Sequence, residues 1–382
     1  MVDKLPSPLR RVLLLAGLAG SCGMGRAAEF KARTLVFPRD FGSHPDTRTE
    51  WWYITGYASS GATGTAGTAG AADAGARLFG FQITFFRSRV DGTQDMQSSF
   101  AAKQLLFAHA AITDVQGKKL WHDQRMARST GASDIKAAAA SEKDTAIRLR
   151  DWSLVRKGNE YNVVALGADF QLNLQFRETQ PLMLQGDKGL SRKGPQPQQA
   201  SFYYSKPQMA VAGSLTVKGQ MMAVEASRGV AWLDHEWSNE VLPPGAVGWD
   251  WIGMNLFDGS ALTAFRLRDK SGNTVWDGGS FRHPKMNPPD RPHVFSRGEV
   301  IFQASRGWKS PLTQANYPVE WLVRTPADYY IVKALVDNQE LDSRGTTGAV
   351  YWEGLADLFD SNNRHVGRGY LEMTGYAKPL RM

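Results

Sequence analysis

Short runs of β-branched and aromatic residues that end at Gly, Pro, Asp or Asn recur along the whole chain. Such runs are typical of β-strands, whereas the three- and four-residue apolar spacing of amphipathic helices is scarce. The clearest runs are 51–57, 78–87, 161–166, 170–176, 249–256 and 261–268. The sequence therefore predicts a mainly antiparallel β fold.

A weak internal repeat indicates that the chain has two similar halves. EWWYITGYA at 50–58 and GFQITFFRSR at 80–89 are echoed by GWDWIGMNL at 248–256 and ALTAFRLRDK at 261–270. Each unit joins a Trp-rich run to a run with Arg near its end. Repetition of such a unit favours two related β-barrel halves.

The boundary between the halves is predicted from composition. Segment 186–200 is rich in Gly, Pro and Lys without apolar periodicity, which favours a loop or linker. We place the halves at 29–215 and 216–382, shortly after this segment. Segment 59–76 contains mainly Gly, Ala, Thr and Ser, and we expect a flexible hairpin tip there because it offers no large apolar side chain to bury.

The first 28 residues are typical of an export signal, with basic residues ahead of a short apolar run at 12–19. That run is too short to span a bilayer. Cleavage after Ala27 would release the protein, whereas LAGSC, ending at the single cysteine Cys22, resembles a lipoprotein signal. Both alternatives stay open. We expect export to the periplasm or cell envelope, with Cys22 as the candidate lipidation site.

Charge and motifs argue against several classes of function. The net charge of +8 arises from 45 Lys and Arg scattered among 37 acids without a basic stripe, so we expect no nucleic-acid partner. Attraction to an anionic membrane surface fits this charge as well. The sequence lacks G-x-S-x-G, H-E-x-x-H, P-loop and G-x-G-x-x-G patterns. We therefore predict no cofactor and no serine nucleophile.

Three clusters place ionisable groups beside aromatic rings. They are His44 with the run Glu50, Trp51, Trp52 and Tyr53; the run Trp232 to Trp237; and Trp249, Asp250 and Trp251. Read as a strand, the second cluster places Trp232, Asp234 and Glu236 on one face and Leu233, His235 and Trp237 on the other. Two carboxyl groups beside an indole disfavour ionisation, so one of them can keep a proton near neutral pH and donate it.

Other interpretations of these acids stay open. Asp234 or Glu236 could instead form a buried ion pair with an arginine such as Arg48 or Arg87, because structural networks also perturb acids. A metal site from His44, Asp46, His235 and Glu236 has little support, since no spaced His pair lies on one element. We predict no metal site. His109, His122 and His365 are expected to be ordinary polar or core-edge residues.

Several motifs in this order resemble one known family. They are FPRDFGSHPDTRTEWWYITGYA at 37–58, GFQITFFRSR, LLFAHAAITD at 105–114, GVAWLDHEWS at 229–238, GWDWIGMNL, and the tail segments ELDSRGTTGAVYWEG and GRGYLEMTGYA. The chain resembles the carotenoid 1,2-hydratase and predicted secreted hydrolase family, also called AttH-like. The resemblance implies two lipocalin-like (calycin-type) β-barrels and an apolar ligand. It is closer to the exported branch, whose members are thought to work beside ABC-type exporters.

The chemistry of hydration then assigns candidate roles. Asp234 would be the general acid, His235 or Glu236 would tune it or activate water, and Glu50 and His44 would complete the catalytic group. The candidate substrate-binding residues are Trp51, Trp52, Tyr53, Trp232, Trp237, Trp249, Asp250 and Trp251. The expected function is a hydratase or non-serine hydrolase acting on an apolar lipid- or isoprenoid-like substrate. The alternative is a non-catalytic carrier of such a ligand that works with an ABC-type transporter permease.

Overall fold

Antiparallel strands form nearly all of the regular structure. The computed structural model describes residues 32–60, 76–98, 101–129, 137–240, 242–288 and 291–380. Two short 3-10 helices, Arg39–Phe41 and Asp91–Thr93, interrupt the strands in these ranges. None of the helices in this part of the chain has the length and apolarity that crossing a membrane would require. The predicted mainly antiparallel β fold is confirmed.

The first sheet closes into a barrel. Its strands are β1 Thr49–Ser60, β2 Arg77–Arg89, β3 Gln104–Asp114, β4 Lys119–Ser129, β5 Ala138–Ala140, β6 Ala146–Leu149, β7 Trp152–Lys157, β8 Glu160–Leu166, β9 Phe170–Arg177, β10 Met183–Leu184, β11 Leu190–Arg192, β12 Ala200–Val217 and β13 Gln220–Ser238. Their order is β4-β3-β2-β1-β13-β12-β9-β8-β7-β6-β5, and both β10 and β11 pair with β12. Because β4 contacts β5 and β6, the two ends of the sheet meet. We call this unit the N-terminal barrel.

A second sheet follows and packs against the barrel. Its strands are β14 Gly248–Leu256, β15 Ala261–Arg268, β16 Thr274–Arg282, β17 His293–Val294, β18 Ile301–Lys309, β19 Asn316–Arg324, β20 Tyr329–Ala334, β21 Glu340–Ser343, β22 Ala349–Phe359 and β23 His365–Met373. The order is β17-β16-β15-β14-β23-β22-β20-β19-β18, with β21 beside β22. This C-terminal sheet encloses its own apolar core.

Burial patterns explain how the two units meet. In β9 buried and exposed residues alternate strictly, because one face covers the barrel core and the other faces water. In β1, β14 and β22 burial is nearly continuous, since one face covers a core and the other packs at the junction of the units. A third apolar cluster lies at this junction and joins Tyr53 and Trp232 of the barrel to Trp251 and Tyr370 of the sheet.

The chain leaves the barrel later than we predicted. Lys218 and Gly219, both with positive φ, form a two-residue turn that joins β12 to β13, as expected for a tight hairpin. β13 then pairs with β1, so the barrel runs on through Ser238 and the second sheet begins at Gly248. Residues 215/216 therefore lie inside one hairpin. Segment 186–200 is not an interdomain linker either, because β11 within it pairs with β12.

The repeated units occupy comparable places in the two sheets. The first repeat forms β1 and β2, and the second forms β14 and β15, each an adjacent antiparallel pair. Glu50 lies opposite Arg87 in the first pair, and Asp250 lies opposite Arg266 in the second. Of the predicted tip at 59–76, residues 61–75 lie outside the described residues, as does Cys22.

Candidate functional site

A cavity of about 720 Å³ lies between the N-terminal barrel and the C-terminal sheet. The aromatic residues that line it include Trp51, Tyr53, Trp249, Trp251 and Phe86. The first four are predicted substrate-binding residues, and Phe86 lies in the predicted strand 78–87. The odd-numbered residues of β1 and β14 reach it because strand alternation turns their even-numbered neighbours into the two cores. The structure thus brings part of each predicted cluster to one cavity: Trp51 and Tyr53, Asp234 and Glu236, and Trp249 and Trp251.

Asp234 lies in the wall of this cavity and is 3% exposed. Its Oδ1 accepts hydrogen bonds from Ser205 Oγ at 2.5 Å and Trp232 Nε1 at 2.7 Å, and its Oδ2 accepts one from Tyr203 Oη at 2.8 Å. Burial raises the pKa of Asp234 to about 7, although these three donors oppose the shift. The carboxyl group can therefore exchange a proton near neutral pH.

Tyr203 was not identified from the sequence. Its hydroxyl donates to Asp234 and accepts a 3.4 Å hydrogen bond from Trp251 Nε1, so it connects the acid to the aromatic wall. Burial, followed by the charges of Asp234 and Glu236, raises the pKa of Tyr203 well above its usual value. The phenol therefore stays protonated and can relay a proton between Asp234 and a molecule in the cavity.

Glu236 also faces the cavity, but it is already paired. Its Oε1 lies 3.0 Å from Lys193 Nζ and accepts a hydrogen bond from Ser201 Oγ. Lys193 lies 4.3 Å from the centre of the Phe265 ring. The partner of Glu236 is thus a lysine from segment 186–200, a segment in which we predicted no site residue. In the described part of the chain, no arginine forms an ion pair with Asp234 or Glu236.

Five predicted site residues lie in the barrel core, away from the cavity. They are His44, Glu50, Trp52, His235 and Trp237. Glu50 lies opposite Trp237 on β13, and its Oε2 lies 2.7 Å from Arg87 Nε. The proposal that Glu50 joins Asp234 in one pocket is wrong, because Glu50 is on the same face of β1 as Trp52. Alternation along EWWY already implied this.

Hydrogen bonds join these core residues into one network. Glu50 Oε1 lies 2.7 Å from His44 Nδ1 and 2.9 Å from His235 Nε2. The His44 ring stacks on Trp237 at 3.8 Å, and its Nε2 lies 2.9 Å from Asp40 Oδ1. Burial lowers the pKa of His235 to about 4, which keeps that ring neutral.

Hydrogen bonds also set the charge of Glu50. Burial by itself would raise the pKa of Glu50, but hydrogen bonds from His235 and His44 and the charge of Arg87 lower it well below its usual value. Glu50 is therefore a permanent carboxylate in a structural network.

One group of side chains has the spacing of metal ligands. The ligating atoms of His44, Glu50 and His235 lie within 4.8 Å of one another. The open metal interpretation had combined His44 and His235 with Asp46 and Glu236, and these two acids do not belong to the group. Arg87 and the hydrogen bonds described above already balance and satisfy Glu50, so the arrangement is explained without an ion.

Asp250, predicted to bind substrate, lies in the core of the C-terminal sheet. It is fully buried, and its Oδ2 lies 2.7 Å from Arg266 Nε and 3.4 Å from Arg268 Nε. Tyr376 Oη donates to its other oxygen at 2.9 Å. Like Glu50 in the first repeat, Asp250 lies opposite an arginine on the next strand, and both acids are buried in a core.

Two further acids of the cavity were missed. Glu353 on β22 and Glu372 on β23 lie directly opposite each other and both line the cavity. Burial and then the charge of Glu372 raise the pKa of Glu353 well above its usual value. The pKa of Glu372 is also raised, chiefly by burial. Both acids lie in the tail motifs within two positions of an aromatic residue, and an acid beside aromatic residues is also what drew attention to Glu50.

His109 connects the two units across the far end of the cavity. Its Nδ1 lies 2.8 Å from Tyr351 Oη and its Nε2 lies 2.7 Å from Thr346 Oγ1. Burial, with a smaller effect of His122, lowers the pKa of His109 to about 3. We expected an ordinary polar or core-edge residue. His109 is instead a buried, neutral imidazole whose hydrogen bonds hold the C-terminal sheet against β3.

Comparisons with known proteins agree with this architecture. The family model of AttH-like proteins matches residues 28–376. A protein assigned as AttH from Nitrosomonas europaea has 41% identity and a TM-score of 0.79, over 91% of this chain and 99% of that one. Kievitone hydratase from Nectria haematococca has 12% identity and a TM-score of 0.67, over 90% and 94% of the two chains, which shows a shared fold. A search of curated proteins gives no match.

Proposed function

Since this chain belongs to the AttH-like family, we propose that it is a hydratase or non-serine hydrolase that acts on an apolar lipid- or isoprenoid-like substrate in the cavity between its two units. One observation carries the proposal: Asp234, a buried carboxyl group whose pKa is raised to about 7, lies in the wall of an aromatic cavity. A proton donor of this kind is what addition of water to an apolar double bond requires.

The cavity supplies the other requirements of such a reaction. In hydration, the Asp234 proton forms the new C–H bond, directly or through Tyr203, and leaves a positive charge on the neighbouring carbon. The faces of Trp51, Trp249 and Trp251 stabilise that charge through cation–π interactions. Water then forms the new C–O bond, and the proton that it releases restores the Asp234 carboxyl group. The apolar walls select substrates by surface burial and not by charge.

Turnover in heavy-oxygen water tests the proposal. Lipids and isoprenoids that co-purify with the protein are incubated in H₂¹⁸O and analysed by mass spectrometry. We expect label in the product of the wild-type protein and a rate lower by about a hundredfold to ten-thousandfold for Asp234→Asn. Quenching of tryptophan fluorescence should show that ligand binding is retained. Asp277→Asn is the matched control, because Asp277 is a buried acid with a raised pKa that lies outside the cavity.

A carrier is the second candidate. The three donors around Asp234 would also accommodate a carboxylate with a purely structural role, and a cavity of about 720 Å³ can hold a ligand without transforming it. In that case Asp234→Asn lowers the melting temperature by several degrees, and the bound molecules leave unlabelled and unchanged. Such a carrier would exchange its ligand with an ABC-type transporter permease.

Export is a separate part of the proposal and rests on the N-terminal sequence. We propose that the protein reaches the periplasm or envelope and that Cys22 is lipidated when LAGSC is the cleavage site. Cys22→Ala should then move the protein from the membrane fraction to the soluble fraction. Equal membrane association of the variant and the parent would rule out the lipid anchor.

A further inference from the structure

Glu353 and Glu372 form an acid pair in the wall that the C-terminal sheet contributes to the cavity. They are direct cross-strand neighbours on β22 and β23, and their side chains share the face that covers the cavity. Facing them on β1 is Tyr53, which is 5% exposed and lines the same cavity. Burial raises the pKa of Tyr53 well above its usual value, and the nearby charges of Glu353 and Glu372 raise it further. The three polar groups therefore occupy one small region of an otherwise apolar wall.

Tyr53 and Glu353 lie near enough for their contact to influence the pKa of both groups. Even so, Glu353 Oε1 and Tyr53 Oη have no partner at hydrogen-bond distance and angle among the described residues. Glu353 is only 3% exposed, so bulk water does not solvate it freely. Buried polar atoms are nearly always hydrogen-bonded, and an unpaired one is costly. Their position at the cavity wall indicates that a molecule in the cavity pairs with them.

The chemistry of the pair defines that molecule. Burial and mutual repulsion keep at least one of the two carboxyl groups protonated near neutral pH, so the pair both donates and accepts. Tyr53 adds a second donor that is also an acceptor. A hydroxyl group, which itself donates one and accepts up to two hydrogen bonds, complements this set. An anion would meet a carboxylate, and a hydrocarbon would leave the atoms unpaired.

We propose that Glu353, Glu372 and Tyr53 form a hydroxyl-binding subsite of the cavity. This subsite deepens the function proposed above and rests on it only because both use the same cavity. The hydroxyl belongs either to a water molecule or to the ligand. In the first case, the water oxygen forms the C–O bond and one water proton passes to the ionised carboxylate of the pair. Asp234, whose charge interacts with Glu372, recovers its proton from that pair, which restores all three acids.

Binding of two matched probes tests the subsite without requiring turnover. All-trans farnesol and farnesyl methyl ether have the same apolar chain, but only the alcohol donates a hydrogen bond. We expect tryptophan quenching to show that the wild-type protein binds the alcohol about tenfold more tightly, as one hydrogen bond to a charged group allows. Glu353→Met should abolish the preference, because it keeps the apolar volume and removes both oxygens. Glu320→Met, on β19 and outside the cavity, is the control and should keep the preference.

A second variant protects the test against misfolding. Tyr53→Phe removes only the hydroxyl and should reduce the preference severalfold without changing affinity for the ether. Equal wild-type affinity for alcohol and ether would overturn the subsite, and so would a preference that survives in both variants. Turnover of farnesol in H₂¹⁸O separates the two sources: labelled product identifies water, and an alcohol preference without labelled product identifies a ligand hydroxyl. A product without ¹⁸O label contradicts the proposed enzyme, whereas equal affinity for farnesol and its methyl ether contradicts the subsite.

Discussion

The environment of Asp234 makes the stability of the protein depend on pH in an unusual direction. A carboxyl group ionises near pH 4 in an unfolded chain, whereas burial raises the folded pKa of Asp234 to about 7. Between these values the folded state binds more protons than the unfolded state. The contribution of Asp234 to stability is therefore complete below about pH 4 and is lost as the pH rises to about 7.

Asp234→Asn should remove this dependence. The free energy of unfolding of the wild-type protein should fall relative to that of the variant by up to about 4 kcal/mol between pH 4 and pH 7. Urea denaturation at several pH values measures both proteins under matched conditions. Parallel curves for the two proteins would show that Asp234 does not hold a proton in the folded state.

At the scale of strand pairs, each repeat contains a buried carboxylate opposite an arginine. Glu50 pairs with Arg87 across β1 and β2, and Asp250 pairs with Arg266 across β14 and β15. Loss of one partner leaves the other charge buried without compensation. Both hairpins are therefore expected to depend on their pair for stability.

Glu50→Gln and Asp250→Asn should each lower the free energy of unfolding by about 3–5 kcal/mol. Lys218→Met, which removes an exposed ion pair with Asp169, should cost about 1 kcal/mol or less. Chemical denaturation compares the three variants. A Glu50→Gln protein as stable as the Lys218→Met protein would contradict the structural role of Glu50.

Strand alternation also decides how much of the site could be predicted. It placed Asp234 and Glu236 correctly on one face of β13, with His235 and Trp237 on the other. Applied to β1, the same rule places Glu50 on the opposite face from Trp51 and Tyr53. The prediction that Glu50 acts together with Asp234 did not apply this rule to β1. Lys193 could not be predicted, because it lies in a segment with no periodicity, and its contact with Glu236 depends on how β11 pairs.

At the scale of the molecule, the cavity exists only because two units pack together. The repeat predicted two halves, but one sequence does not reveal which strand faces meet. Glu353 and Glu372 are more than a hundred residues from Asp234 along the chain, so only the packing of β22 and β23 against the barrel brings them near it. The boundary at 215/216 failed for a related reason, since β13 returns to the barrel after a tight turn.

His109 makes the junction of the units sensitive to acid. Its folded pKa is lowered to about 3, whereas an unfolded histidine titrates near pH 6.5. Its contribution is complete above about pH 6.5 and is lost as the pH falls towards 3. The variant His109→Gln can still form hydrogen bonds with Tyr351 and Thr346 but does not titrate. When the pH falls from 7 to 5, the free energy of unfolding of the wild type should therefore decrease by about 2 kcal/mol more than that of the variant. Thermal unfolding at both pH values measures this, and identical losses would contradict it.

An apolar ligand should bind between the two units and not inside the barrel, because side chains such as Trp152 and Phe176 fill the barrel core. A diazirine-bearing isoprenoid, activated by light and mapped by peptide mass spectrometry, locates the ligand directly. We predict cross-links to Trp51, Trp249 or Trp251 that excess farnesol suppresses and that Asp234→Asn leaves unchanged. Cross-links confined to the barrel core would contradict a site between the two units.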